Sequence, residues 1–119
     1  MGTYIHDAVT VTTAAWRDGG LPDIDAFRDS LPEEFRQLVI GPVPSCFNGR
    51  VSYAFLPDGS KEGWPPSDQG DEYRARFAAL FAQQDEDGAT CDDTVHIRYG
   101  GDHRHDNAPE IRYTHGGHA

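Results

Sequence analysis

The chain has 119 residues, 20 of them acidic and 10 basic, and a formal net charge of −10. That balance excludes direct binding to nucleic acid or to an anionic membrane surface, which would repel it. It suits a basic protein partner, a metal cation or plain solubility.

The length suits one domain with its own core, and two Trp, five Tyr and six Phe supply most of the apolar bulk. No leader-like stretch opens the chain, and no apolar run approaches the roughly 18 residues of a membrane span. Cys46 and Cys91 are therefore read as free thiols of a cytoplasmic protein. Nine of the ten basic residues are Arg, with Lys61 the exception, a bias typical of GC-rich coding.

Tyr4 to Thr13 reads as a strand with Ile5, Val9 and Val11 on one face at period two. Asp7 falls on that same face, where an apolar residue is expected. Gly19-Gly20 marks a turn. From Pro22 to Leu38 the residues Ile24, Phe27, Leu31, Phe35 and Leu38 recur at helical steps. Pro32 interrupts the pattern and Ser30-Leu31-Pro32-Glu33 matches a capping box, so two short helices bent near Ser30 are expected.

Short apolar pieces at Leu38–Ile40 and Val43–Phe47 flank Gly41-Pro42, and Cys46 is expected to be small and buried. Asn48-Gly49 is a strong hairpin signal, because a type I′ turn needs positive φ at both central residues. It leads into Arg50–Leu56, where Val51, Tyr53 and Phe55 alternate. Pro57-Asp58-Gly59-Ser60 ends that strand. A helix starting at Ser67 or Asp68 carries Tyr73, Phe77, Leu80 and Phe81 as its apolar stripe, and Asp85-Glu86-Asp87-Gly88 ends it.

Thr94–Tyr99 is a strand with Val95, Ile97 and Tyr99 expected inward and Thr94, His96 and Arg98 outward. Glu110–Thr114 is a last strand, open at its edge to pairing with a second copy. The order β-α-β-β-α-β-β predicts an α+β two-layer sandwich. Its mainly antiparallel sheet has four to five strands, with the helices packed on one face, in a ferredoxin-like arrangement or a variant of it. Residues 1–114 form the domain and 115–119 a frayed tail. The uncovered face should be polar, with His6, Thr10, Ser52, His96, Arg98, Glu110 and Arg112.

Several groups could carry chemistry. His103, His105 and Asp106 point the same way or lie adjacent in an extended loop and could hold a divalent metal with His115 or His118, although Arg104 opposes it. The bland reading is a solvated hairpin. His96, Arg98 and Arg112 could grip a phosphate or carboxylate, or simply face solvent with Glu110 across the strands. Asp25, Asp29 and Glu33 could imitate a phosphate backbone, but Pro32, Arg28 and Arg36 interrupt the stripe. Asp85, Glu86, Asp87, Asp92 and Asp93 form a dense acidic loop. Trp64, between turn residues, is either a lid on the core or a contact for a partner. No P-loop, G-x-S-x-G or Rossmann glycine pattern occurs, and neither cysteine sits in a catalytic signature.

The opening Met1-Gly2-Thr3-Tyr4, the preference for Arg over Lys, and the strand-DGS-loop-helix layout from Tyr53 to Phe81 resemble short uncharacterised proteins of actinobacteria and their phages. The resemblance implies a small acidic accessory protein that binds and inhibits or modulates a host protein of defence or nucleic-acid machinery. The leading expectation is accordingly a non-enzymatic protein-binding module, monomeric or homodimeric. It would meet a basic surface through Asp85, Glu86, Asp87, Asp92 and Asp93 with Trp64 as anchor. The alternative is a metal- or small-ligand-binding protein using the His103/His105/Asp106 loop. No other cofactor is expected.

Overall fold

The computed structural model describes residues 5–17, 19–60, 64–82, 90–100 and 110–115, with backbone only for 112–115. Strand β1 (His6–Ala14) is followed by helices α1 (Ile24–Asp29) and α2 (Glu33–Arg36), strands β2 (Val39–Pro44) and β3 (Arg50–Phe55), helix α3 (Pro65–Ala79), and strands β4 (Asp93–Tyr99) and β5 (Glu110–His115). The strands form one sheet in the order β2-β3-β1-β4-β5, with every neighbouring pair antiparallel. The first four strands follow the ferredoxin-like order, and β5 extends the sheet beyond β4.

The helices cover one face. Val9 and Val11 of β1, Val51, Tyr53 and Phe55 of β3, and Val39 of β2 meet Ile24, Phe27, Leu31, Phe35, Phe77 and Phe81 in a single cluster. Phe77 is its hub, with ring centroids 5.8 Å from Phe27, 5.7 Å from Phe55 and 5.4 Å from Phe81. Each buried Phe is worth about 1.5–3 kcal/mol of transfer energy, and edge-on aromatic contacts add about 0.5–1.5 kcal/mol per pair.

The first helical stretch breaks where Pro32 requires it, but not through a capping box. Asp23 caps α1 by accepting from the Ala26 backbone N–H at 3.0 Å. Ser30 closes that helix, and its hydroxyl donates back to the Phe27 carbonyl at 2.6 Å, so it has turned away from α2. Pro32 stands at the head of α2 with no side-chain cap. Helix α3 begins at Pro65, two residues before the earlier expected start, because Pro is tolerated in a first turn.

Asn48 and Gly49 have φ of 63° and 62°, as the β2–β3 hairpin needs. A Cβ at Gly49 would meet the Trp16 ring at 2.8 Å, so packing and backbone conformation both demand glycine there. Cys46, expected to be buried, is exposed on this hairpin beyond the end of β2, and Cys91 is half-buried; both are free thiols.

Strand β4 corrects the expected facing. Val11 pairs with Thr94, Val9 with His96 and Asp7 with Arg98, and directly opposed residues share a face. Thr94, His96 and Arg98 therefore lie on the helix side, and Val95, Ile97 and Tyr99 lie on the uncovered side. Alternation defines two faces without saying which turns inward. Here Asp7 decides it, since a buried carboxylate needs polar partners and β4 supplies them. The uncovered face is consequently more apolar than expected. Among the described residues it carries Ile40 and Val43 of β2, Ala8, Thr10 and Thr12 of β1, Ser52 and Ala54 of β3, and Val95, Ile97 and Tyr99 of β4, with His6, Arg50 and Asp93 towards its ends. Among the described residues, no helix is long and apolar enough to cross a membrane.

Candidate functional site

Helix α3 presents two different stripes to the sheet. Tyr73, Phe77 and Phe81 fill the core over β1 and β3. A second stripe, Asp71, Arg74, Ala75, Ala78, Ala79 and, just past the helix end, Ala82, recurs at three- and four-residue steps and faces β4. These alanines are too short to reach the sheet. They leave a pocket of about 460 Å³, floored by Asp7 and Val9 of β1 and flanked by His96 and Arg98 of β4.

Arg74 is the buried centre of this region, only 3 % exposed. Among the described residues, three carboxylates converge on it. Nη1 donates to Asp58 Oδ2 at 3.2 Å, Nη2 donates to Asp71 Oδ1 at 2.6 Å, and Asp7 Oδ2 lies 4.0 Å from Nη2. Among the described residues its Nε has no hydrogen-bond partner. Asp58 is held in turn by the Pro57–Ser60 turn, where its Oδ1 accepts from the Ser60 backbone N–H and hydroxyl at 2.8 and 2.6 Å. Gly70 makes the packing feasible, since a Cβ there would collide with the Asp58 carboxylate and crowd the Arg74 guanidinium.

The second feature is a dyad. His96 Nε2 lies 2.9 Å from Asp7 Oδ1. Burial by itself would raise the Asp7 carboxyl, but the hydrogen bond from His96 and the charges of Arg74, His96 and Arg98 outweigh it and hold Asp7 below its ordinary value. Asp7 is thus ionised near neutrality and can only accept. Nε2 must carry the hydrogen of this bond, which fixes the orientation of the imidazole. Among the described residues Nδ1 has no partner. The site therefore joins an oriented imidazole, two arginines and an apolar wall. Arg98 is matched across the ladder by Glu110.

A separate ionic cluster lies at the other end of β1 and β4. Arg17 grips Asp92 bidentately, Nε to Oδ1 at 2.9 Å and Nη2 to Oδ2 at 2.5 Å. Thr13 donates to Oδ1 at 2.5 Å, and Arg17 Nη1 donates to the Gly20 carbonyl at 2.8 Å. The hydrogen bonds to Asp92 raise the Arg17 pKa against the effect of burial. Among the described residues this cluster is a clamp between strand ends.

Of the residues expected to meet a partner, Asp92, Asp93 and Trp64 are described. Asp92 is wholly buried in that clamp and presents no charge to a partner; Asp93 beside it is exposed. Trp64 is 48 % exposed immediately before α3. Asp85, Glu86 and Asp87 lie outside the described residues, as do His103, His105 and Asp106. Among the described residues, no three His, Cys, Asp or Glu side chains gather as a metal site. Asp25, Asp29 and Glu33 are divided between α1 and α2, and Asp25 is paired with Arg28 at 2.7 Å.

The sequence places His96, Arg98 and Arg112 together as an anion-gripping patch on the open face; His96 and Arg98 lie on the opposite, helix-covered face, and the Arg112 side chain lies outside the described residues. Arg74 and Asp58 were missed. The available signals were Asp7 within an apolar strand face and an arginine set among alanines at helical spacing. Compared with protein-family models, curated proteins and solved structures, the chain has no match.

Proposed function

We propose that this protein binds a small molecule in the pocket between α3 and β4. The observation that carries the reading is the pocket's lining: an ionised Asp7, an oriented His96 and a buried Arg74 stand where a merely structural core would place apolar side chains. The fitting ligand is compact, with an apolar body against Ala75, Ala78 and Ala79 and a polar end at His96 and Arg98. An oriented imidazole without a defined substrate does not specify a reaction, so the reading is one of binding.

A thermal-shift screen of small polar fragments tests it, because a ligand that binds only the folded state raises its melting temperature. Ala79 is exposed at the pocket, so Ala79→Phe should fill the space without disturbing the core. Fragments that stabilise the wild type and not Ala79→Phe support the reading. Absence of stabilisation across a chemically diverse set, or equal stabilisation of both proteins, overturns it.

A second reading, recognition of a basic protein, is supported by the net charge of −10 and by the exposed Trp64. Aromatic anchors contribute disproportionately to interfaces, and opposite charge speeds encounter. Capture of a basic protein that weakens with salt and with Trp64→Ala supports it; capture indifferent to both counts against it.

A further inference from the structure

The two oxygens of the Asp7 carboxylate are treated differently by the fold. Asp7 is 7 % exposed and lines the pocket between α3 and β4. Its Oδ1 is hydrogen-bonded to His96 Nε2 at 2.9 Å. Among the described residues its Oδ2 accepts no hydrogen bond, because Arg74 Nη2 stands 4.0 Å away, beyond hydrogen-bond reach. Arg74 is held at that distance by its other partners, with Nη1 committed to Asp58 and Nη2 to Asp71. A buried carboxylate oxygen ordinarily takes at least one donor.

We infer that the pocket takes an organic cation, a primary ammonium that donates to Asp7 Oδ2 and is carried on an apolar body lying against Ala75, Ala78 and Ala79. The inference rests on the small-molecule reading above and assigns the charge of the ligand's polar end. The charges around the site favour it. Asp7, Asp58 and Asp71 converge on Arg74, and Glu110 stands opposite Arg98 on the β4–β5 ladder. Among these groups four carboxylates face two guanidinium groups. Arg98 opposes the cation, but Glu110 across the ladder offsets its charge. A ligand carboxylate would meet the same excess of negative charge, with both terminal nitrogens of Arg74 already engaged.

The apolar part of the ligand follows from α3. The alanine methyl groups offer no hydrogen bond, so the surface turned to them is hydrocarbon. A pocket of about 460 Å³ lies within the size range of small-molecule sites. An ammonium bonded to a carboxylate in a partly buried setting is a charge-assisted contact, strong enough to discriminate about tenfold against a neutral analogue.

Titration of the ¹⁵N-labelled full chain tests the inference, with the backbone amides around Asp7 and His96 as the readout. Four probes are compared at neutral pH and about 150 mM salt, which screens the general attraction of cations to an acidic protein. Fragments of this size bind weakly, so each is taken to about 10 mM. Phenethylamine should give saturable shifts. Phenethyl alcohol, with the same ring and no charge, should bind at least tenfold more weakly, and phenylacetate more weakly still. Ethylamine, the cation without the ring, should also lose at least tenfold. Asp7→Asn should abolish the preference for phenethylamine over phenethyl alcohol; the wild-type series decides the matter if that variant does not fold. Phenethyl alcohol, phenylacetate or ethylamine binding as tightly as phenethylamine overturns the inference. So does an amine preference that survives in folded Asp7→Asn, or a phenethylamine titration without saturable shifts. The small-molecule reading stands or falls separately, on the fragment screen against Ala79→Phe.

Discussion

His96 donates from Nε2 to Asp7 Oδ1 at 2.9 Å across the β1–β4 ladder, on the side of the sheet that the helices cover. The two residues are 89 positions apart in sequence, and their pairing turns the polar face of β4 towards α3. The pocket and the facing of the last two strands both depend on it.

The pair makes stability depend on acid. Asp7 has its folded-state pKa lowered from 3.8. Its ionised form therefore contributes stability fully above that ordinary value, and the contribution is lost as pH falls through the depressed folded value. Urea denaturation at pH 6 and near pH 2.5 should show Asp7→Asn to be less stable than wild type by about 1–3 kcal/mol at pH 6, with the gap narrowing in acid. A gap that is constant or widens in acid would contradict the assignment.

Gly70 reverses the usual helix rule. Alanine in a helix interior is normally better than glycine by about 1 kcal/mol. Here the added Cβ would overlap the Asp58 carboxylate and crowd Arg74. Gly70→Ala should therefore lower the denaturation midpoint and disturb the β4 resonances. A stabilised variant would mean that the Asp58–Arg74 contact is not as described.

The Arg17–Asp92 clamp predicts a double-mutant result. Asp92→Ala leaves a buried guanidinium without its partner and should cost about 3–5 kcal/mol. Replacing both residues with apolar ones, Arg17→Met with Asp92→Leu, should recover part of that loss, since the desolvation of two charges disappears as well. Thermal unfolding of wild type, Asp92→Ala and the double variant checks this, and a double variant no more stable than Asp92→Ala would contradict it.

Thiol reactivity should separate the cysteines. Cys46 is exposed and Cys91 half-buried beside Thr13 and Asp92. A thiol reagent at neutral pH should modify Cys46 in a fast phase and Cys91 in a slower one, with the fast phase absent from Cys46→Ser. A single phase with both thiols equally reactive would contradict the burial of Cys91.

Much of the fold was legible because its signals are local. The break at Pro32 and the turn at Asn48-Gly49 follow from backbone restrictions that neighbouring residues reveal, and Phe77 and Phe81 share a helical stripe. The facing of β4 was not legible. Val95, Ile97 and Tyr99 are the more apolar set, and hydrophobicity ranks them inward. The requirement that reverses the ranking is the charge of Asp7, which sits on a distant strand. Arg74 was hidden for a related reason. It reads as an ordinary helix-surface cation until Asp58, 16 residues earlier, and Asp7 are brought to it by the fold. Asp92 belonged, by sequence, to an acidic run; only its meeting with Arg17 shows it to be interior.

The central claim is that the pocket beside the Asp7–His96 pair receives a small molecule. Its most direct test is a long-range ¹H–¹⁵N spectrum of the His96 imidazole, recorded while stabilising fragments are titrated into wild type and Ala79→Phe. The account predicts the Nε2-protonated tautomer in the free protein and a saturable shift of the Nδ1 resonance in wild type that is absent from Ala79→Phe. An Nδ1-protonated tautomer, or a His96 signal that no fragment moves, would contradict it.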